Sequence, residues 1–383
     1  MINKLELYIH IPFCIRKCAY CDFLSFPAGE KDRQSYVEAL LDEIYGAKEK
    51  GDAATVFFGG GTPSILPGKE IGRIMDAVRA KYSVPEDAEI TLEANPGTLN
   101  RKKLEDWKKA GINRLSLGLQ SAEDAELKAL GRIHTWETFL ESYRMAREAG
   151  FQNINIDLMS ALPGQSAYTW RKTLQKVTEL KPEHISAYSL IVEEGTPFYE
   201  KYAEDVKRRE KGLPCGFLPS EDEERQMYYD TEKILKAEGY RRYEISNYAR
   251  EGFECRHNCG YWERKNYRGF GLGASSLIDE VRFHNTESME NYQNRAFGRE
   301  GEEYLDAEAQ MEEFMFLGLR LTQGISVNDF EKKFHTPYVS VYGKISRELE
   351  EKKLLRRENG RIFLTERGID ISNYVLSEFL LSE

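Results

Sequence analysis

The strongest constraint on this chain is a rhythm. From its start to about residue 190, six short β-rich runs (5–11, 54–58, 89–94, 114–119, 153–158 and 184–190) each lead into longer amphipathic stretches, near 31–50, 67–82, 99–110, 123–130, 135–149 and 166–180. Gly111 and Gly150 stand where a helix ends just before the next strand, the position that favours a left-handed backbone. Strands that alternate with helices pair in parallel, with helices covering the outer face. A full TIM barrel takes eight such units. The predicted core is therefore an α/β fold, an open, partial (β/α)6 TIM-like barrel over residues 1–190.

Beyond residue 190 the rhythm breaks. Residues 191–300 form an extension with a charged helical stretch (196–211), a turn at Leu213-Pro214-Cys215-Gly216, a helix near 219–238 and a Gly- and aromatic-rich segment over 240–277. The acidic stretch 298–306 reads as a linker. Residues 301–383 then give three helices (308–321, 326–334, 339–351), a hairpin over 354–364 turning at Glu358-Asn359-Gly360, and a last helix from Ile369. This is a winged-helix-like module.

Charge and composition narrow the function. A net charge of −10 argues against nucleic acid, which wants a concentrated basic face, and acidic and basic residues nearly balance in the winged-helix-like part. No apolar run approaches the roughly 20 residues that span a bilayer. The N-terminal residues lack a signal peptide's apolar core, so a cytoplasmic protein with no integral membrane segment is expected. Six cysteines among 383 residues are too few for a disulfide scaffold and, when clustered, point to metal or redox chemistry.

Three of those cysteines, Cys14, Cys18 and Cys21, form a CxxxCxxC run directly after the first strand. Three thiolates on one tight loop can hold three corners of an iron–sulfur cubane, which leaves one iron open to a small chelating molecule. A structural zinc site is the competing reading and wants a fourth ligand; His10 is in reach only from within the strand. Polar or glycine positions then follow at successive strand ends: Gly59-Gly60-Gly61-Thr62, Glu93, Gln120 and Asp157. Each alone reads as a cap or a turn. Together they fall on the rim where parallel barrels build their sites.

The CxxxCxxC run resembles the hallmark of the radical S-adenosylmethionine (SAM) superfamily. That resemblance implies a [4Fe–4S] cluster on Cys14, Cys18 and Cys21, with SAM chelating the open iron. Within the superfamily the chain is similar to the coproporphyrinogen-oxidase-like branch, the HemN/HemW family. The matching segments are Tyr8-Ile9-His10-Ile11-Pro12-Phe13-Cys14, Leu130-Gly131-Arg132 and the run from Ile156 to Gln165. By that resemblance Tyr8, Gly60, Gly61, Thr62, Glu93, Gln120, Arg132 and Asp157 line the SAM pocket, and the glycine-rich run 267–276 closes it; a bulged strand is the plainer reading of that run.

Two features choose within the family. The oxidases carry a further cysteine two residues after the third, where this chain has Phe23. The segment from Glu254 to Trp262 contains HNxxYW, a motif that the resemblance ties to haem in the chaperone branch. It offers His257 as an axial ligand, with Tyr261 and Trp262 to cover a macrocycle; a packed loop with a satisfied His-Asn network is the competing reading. Cys255 and Cys259 flank His257 as haem ligands, a second metal site or buried thiols, and Cys215 has no assigned role. The implied function is a haem chaperone that passes haem to acceptors such as respiratory enzymes. The alternative is an oxygen-independent coproporphyrinogen III oxidase, a SAM-dependent decarboxylase of propionate side chains.

Overall fold

A computed structural model describes residues 4–381. Six strands, β1 (Lys4–Ile11), β2 (Asp52–Gly60), β3 (Glu89–Ala94), β4 (Arg114–Gln120), β5 (Ile154–Ser160) and β6 (His184–Ser189), pair side by side in sequence order and all in parallel. Between them run α1 (Glu30–Gly46), α2 (Gly68–Lys81), α3 (Arg101–Lys109), α4 (Asp124–Ala129), α5 (Trp136–Glu148) and α6 (Ala167–Glu179). Asn100, Thr135 and Ser166 cap α3, α5 and α6 with their side chains. Gly111 and Gly150 lie past the helix ends at φ +89° and +85°.

Strand alternation splits the sheet into two faces. Leu5, Leu7, Ile9 and Ile11 join the helix residues Tyr36, Leu40 and Ile44 in the main apolar core. Each such buried side chain contributes roughly 1.5–3 kcal/mol. The opposite, inner face carries Glu6, Tyr8, His10, Glu89, Glu93, Arg114, Ser116, Asn155, Asp157 and His184. A polar lining in the hollow of a partial barrel requires partners, and the extension supplies them.

That extension is continuous with the barrel. After α7 (Pro197–Glu210) and α8 (Glu221–Ala237), strands β7 (Arg241–Arg242) and β8 (Asn247–Ala249) add to the β6 edge. Helix α9 (Arg256–Trp262) precedes β9 (Tyr267–Phe270), which pairs in parallel with β1 at the other edge; β10 (Ser275–Ile278), β11 (Val281–Asn285) and β12 (Arg299–Tyr304) follow antiparallel, with α10 (Met289–Gln293) between the last two. The acidic stretch read as a linker is thus β12, an edge strand exposed along its whole length. Both its faces are wet, so it carries no apolar alternation. Helix α1 stops at Gly46, short of residue 50, where Ala47 turns extended, and Glu49 beyond it meets Arg299 at 2.9 Å.

A second apolar core holds α11 (Ala307–Gly318), β13 (Ile325–Ser326), α12 (Val327–Phe334), α13 (Tyr338–Glu351) and the hairpin β14 (Leu355–Glu358) and β15 (Arg361–Leu364), closed by α14 (Glu366–Asp370) and α15 (Ser372–Ser377). Asn359 and Gly360 both have positive φ, as a two-residue type I′ turn demands. This order of helices and strands is that of a winged helix.

Glu43 of α1 staples the β9–β11 hairpins to the barrel. Its carboxylate, 4% exposed, meets Arg268 at 2.8 Å and accepts from Tyr292, Asn285 and the Gly271 amide. Glu43→Ala leaves Arg268 buried without its main counter-charge, so denaturant unfolding should show a loss of roughly 3–5 kcal/mol, with Glu43→Gln losing less.

Candidate cofactor and ligand site

The loop after β1 is tied at its base by Phe26 N–H to Pro12 O (2.9 Å) and Cys14 N–H to Phe26 O (3.1 Å). It presents Cys14, Cys18 and Cys21 as free, partly exposed thiols. Donors from other strand ends reach them. Thr62 Oγ1 donates to Cys14 Sγ at 3.5 Å, and Arg132 Nη1 to Cys18 Sγ at 3.5 Å. Arg132 also donates to Asn95 Oδ1 (2.6 Å) and Gly118 O (2.7 Å), while Asn95 Nδ2 donates to Thr62 Oγ1 (2.8 Å). One web therefore joins the loops after the first four strands to the thiols. Burial pushes the Cys21 thiol up.

Among the described residues no trio of His, Cys, Asp or Glu is gathered to grip a single metal ion. His10, the candidate fourth zinc ligand, has both nitrogens engaged, Nδ1 with the Tyr8 hydroxyl (3.1 Å) and Nε2 with Leu24 O (3.0 Å). Three thiols on one loop, with a guanidinium and a hydroxyl to stabilise their negative charge, fit an iron–sulfur cubane.

Beside this loop lies a cavity of about 570 Å³, within the range of small-molecule sites. Tyr8, His10, Gly60 and Glu93 line one side; Tyr261, Trp262, Tyr267, Leu277 and Leu317 form an apolar flank, with Phe23 at the rim. Glu93 accepts from the Gly60 amide, yet its pKa is pushed up to about 8, by burial first and then by the charge of Asp157. Asp157, raised by burial, accepts from Ser116 (3.0 Å) and Asn155 (2.7 Å). Two desolvated carboxyl groups in one hollow favour a cationic ligand.

The eight residues expected around SAM divide by position. Tyr8, Gly60 and Glu93 line the cavity. Thr62 and Arg132 touch the cysteines. Gln120, at φ +74°, accepts from Tyr188, and with Asp157 it sits on the inner sheet face. Gly61 packs on the cluster loop, where a Cβ would come within 2.8 Å of Phe13 O. Of the glycine-rich run, Gly273, Ala274 and Ser275 are on the cavity wall.

Helix α9, which carries HNxxYW, plugs the hollow. Glu89 of β3 caps it, accepting from the amides of Arg256 (3.1 Å) and His257 (3.2 Å) and from the Cys255 thiol (3.5 Å). Gly260 lies against the Glu6 carboxylate, where a Cβ would force that carboxylate to move. His257 is 1% exposed and stacks on Phe57 at 5.0 Å. Its Nδ1 is 2.6 Å from Thr55 Oγ1 and its Nε2 2.9 Å from the Tyr261 hydroxyl. Burial, then the charge of Arg114, pushes its pKa down to about 3. Neither ring nitrogen is free, so this geometry gives no support to His257 as an iron ligand; Tyr261 and Trp262 face the cavity instead. Cys255 is buried and Cys259 half-buried, each raised by burial, and Cys215 lies in its loop beside Asp205 O at 3.4 Å.

Sequence reasoning did not single out Asn95 or Tyr188, although strand-end position and alternation mark both. Arg264, Arg282 and Glu313 also line the cavity. They interlock by ion pairs between the turn after α9, β11 and α11, and no local pattern announces them.

Comparison with known proteins places the chain. Residues 8–177 match the Radical SAM superfamily, and residues 305–371 match the HemN C-terminal domain. It is 38% identical over 378 residues to the Heme chaperone HemW of Lactococcus lactis subsp. lactis (strain IL1403), covering 98% of this chain and 97% of the relative. The Heme chaperone HemW of Bacillus subtilis (strain 168) is 36% identical over 381 residues, 97% of this chain and 98% of that protein. The chain belongs to the HemW family of the radical SAM superfamily. Membership of that superfamily implies a [4Fe–4S] cluster and SAM. The HemW-family fold also matches the solved structure of coproporphyrinogen III oxidase (HemN) from Escherichia coli, with a TM-score of 0.83 over 99% of this chain and 90% of that one at 22% identity. No helix among the described residues is long and apolar enough to cross a membrane.

The Glu93 environment yields a pH dependence. With its pKa near 8 the group is protonated at pH 7, and a cation bound beside it lowers that pKa. Binding therefore releases a proton below pH 8, and SAM affinity should rise with pH by up to about tenfold per unit before levelling above pH 8. Isothermal titration in buffers of different ionisation heat checks this, and Glu93→Gln should flatten the profile.

Proposed function

We propose that this protein is a cytoplasmic haem chaperone: it takes up haem and hands it to haem-requiring acceptors such as respiratory enzymes. The observation that carries the reading is likeness over nearly the whole chain to proteins named Heme chaperone HemW. Two features of the chain agree with it. Phe23 stands where the oxidases have a further cysteine, and the cavity has a broad apolar and aromatic flank beside the cluster loop.

In this reading Cys14, Cys18 and Cys21 hold the [4Fe–4S] cluster, which when bound supplies electrons and one open iron position for SAM. Thr62 and Arg132 stabilise the thiolates and fix the loop. Tyr8, Gly60, Gly61, Gln120, Glu93 and Asp157 surround SAM, the two carboxyl groups balancing its positive charge. Trp262, Tyr267, Leu277 and Leu317 shield one face of the macrocycle from water, a task for apolar surface.

Anaerobically reconstituted protein should bind haem one to one, and with coproporphyrinogen III, SAM and a reductant it should form no protoporphyrinogen. Failure to retain haem, or measurable protoporphyrinogen, overturns the chaperone reading. Replacing Cys14, Cys18 and Cys21 together by Ala should abolish the brown cluster absorbance; iron and sulfide retained in that variant contradict the assignment of the thiols.

A further inference from the structure

A second hollow, of about 800 Å³, lies where the second core meets the extension. One wall comes from the end of α8 and from β7, with Glu232, Lys236, Arg241 and Arg242. The other comes from the turn after α13, from β14 and from α14, with Lys353, Arg356, Glu366 and Arg367. It shares no residue with the cavity beside the cluster loop. The walls are tied to each other. Tyr229 donates to Asp370 Oδ2 at 2.7 Å, and Thr322 Oγ1 donates to Arg242 O at 3.1 Å. The cleft is thus shaped by the fold before any ligand arrives.

Its charge runs against that of the chain. Six cations and two carboxylates line it, an excess of four positive charges in a protein of net charge −10. Glu232 is spent on Arg242, at 2.7 Å. Arg241 and Arg356 have only the exposed partners Glu251 and Glu358, at 3.7 and 3.6 Å, contacts that water and salt screen to little. Lys236, Lys353 and Arg367 are exposed, and among the described residues no carboxylate pairs with them. Lys353 stands at φ +59°, in the left-handed position after a helix that favours glycine. A lysine there bears a conformational cost and faces like charges, and an arriving anion relieves that repulsion.

We propose that this cleft docks an acidic, extended segment of a partner protein. A compact phosphate wants donors that converge on one point. These cations are spread over α8, β7, the turn after α13, β14 and α14, several of them on long flexible stems. A membrane is flat and does not enter a cleft. A nucleic acid meets the net negative charge of the remaining chain. An extended peptide advances about 3.3 Å per residue and turns alternate side chains to opposite sides. Its carboxylates therefore reach both walls, and Glu366 is left to accept from a backbone amide of the same segment.

The test is fluorescence anisotropy of a fluorescein-labelled oligoglutamate peptide titrated with the full-length protein. Wild type should bind it at about 0.05 M salt and roughly tenfold more weakly at about 0.5 M, as the screening length shrinks. The triple variant Lys236→Glu, Lys353→Glu, Arg367→Glu should bind about tenfold or more weakly than wild type. A control with the same change of charge, Lys102→Glu, Lys109→Glu, Lys128→Glu on α3 and α4, should bind like wild type. Far-UV circular dichroism confirms folding; the milder set Lys236→Gln, Lys353→Gly, Arg367→Gln should also lose affinity and stands in for a reversal that unfolds. Wild type that ignores the peptide, or a control that weakens as much as the triple variant, overturns the docking site. Tighter binding of a single-stranded oligonucleotide or of phosphatidylserine vesicles, lost in the triple variant, overturns the choice of partner.

Discussion

Everything in this molecule follows from having a polar inner face on a sheet that does not close. Six parallel strands bury their apolar alternates under helices and turn carboxylates, imidazoles and a guanidinium inward. Charged groups withdrawn from water must be paired or neutralised. Helix α9 meets part of that demand in the lower half: Glu89 caps it and Thr55 and Phe57 enclose His257, while burial against the helix pushes the Glu6 carboxyl up to about 8. The upper half is left for ligands. There Asp157 is held by Ser116 and Asn155, but the Glu93 carboxyl, buried near it, has only the Gly60 amide as a donor, so the hollow favours a cation.

The same logic explains the web around the cysteines. Thiolates beside a cavity need donors that do not wander, and Arg132 is fixed by Asn95 and Gly118 before it reaches Cys18. Because its partners come from different strand ends, the loop inherits the rigidity of the sheet. A loop held this way can keep a cluster in place while the apolar flank across the cavity accepts a large, flat ligand. That flank comes from the extension and from α11 of the second core, so the site is built jointly by parts of the chain far apart in sequence.

Much of this was legible in the residues. The six strands read through because period-two alternation is local and strong, and the cysteines because their spacing is itself the signal. Glu93, Gln120 and Asp157 stand out by strand-end position taken together with the family resemblance, and alternation puts them on the inner face of the sheet. What the residues concealed was long-range. His257 looks like a free ligand in the sequence, and only Thr55, 202 residues away, and Glu89, 168 residues away, reveal it as enclosed. Strand β12 passed for a linker because an edge strand exposed on both faces is held by backbone pairing, which leaves no trace in side-chain pattern. Arg282 and Glu313 meet across two elements that share no motif.

The central claim is that three thiolates leave one iron open, next to strand ends that hold SAM. Mössbauer spectroscopy of iron-57-loaded, oxygen-free protein addresses it directly. One iron in four should differ from the rest and shift when SAM is added. Four equivalent irons indifferent to SAM, or zinc in place of iron, would contradict the account.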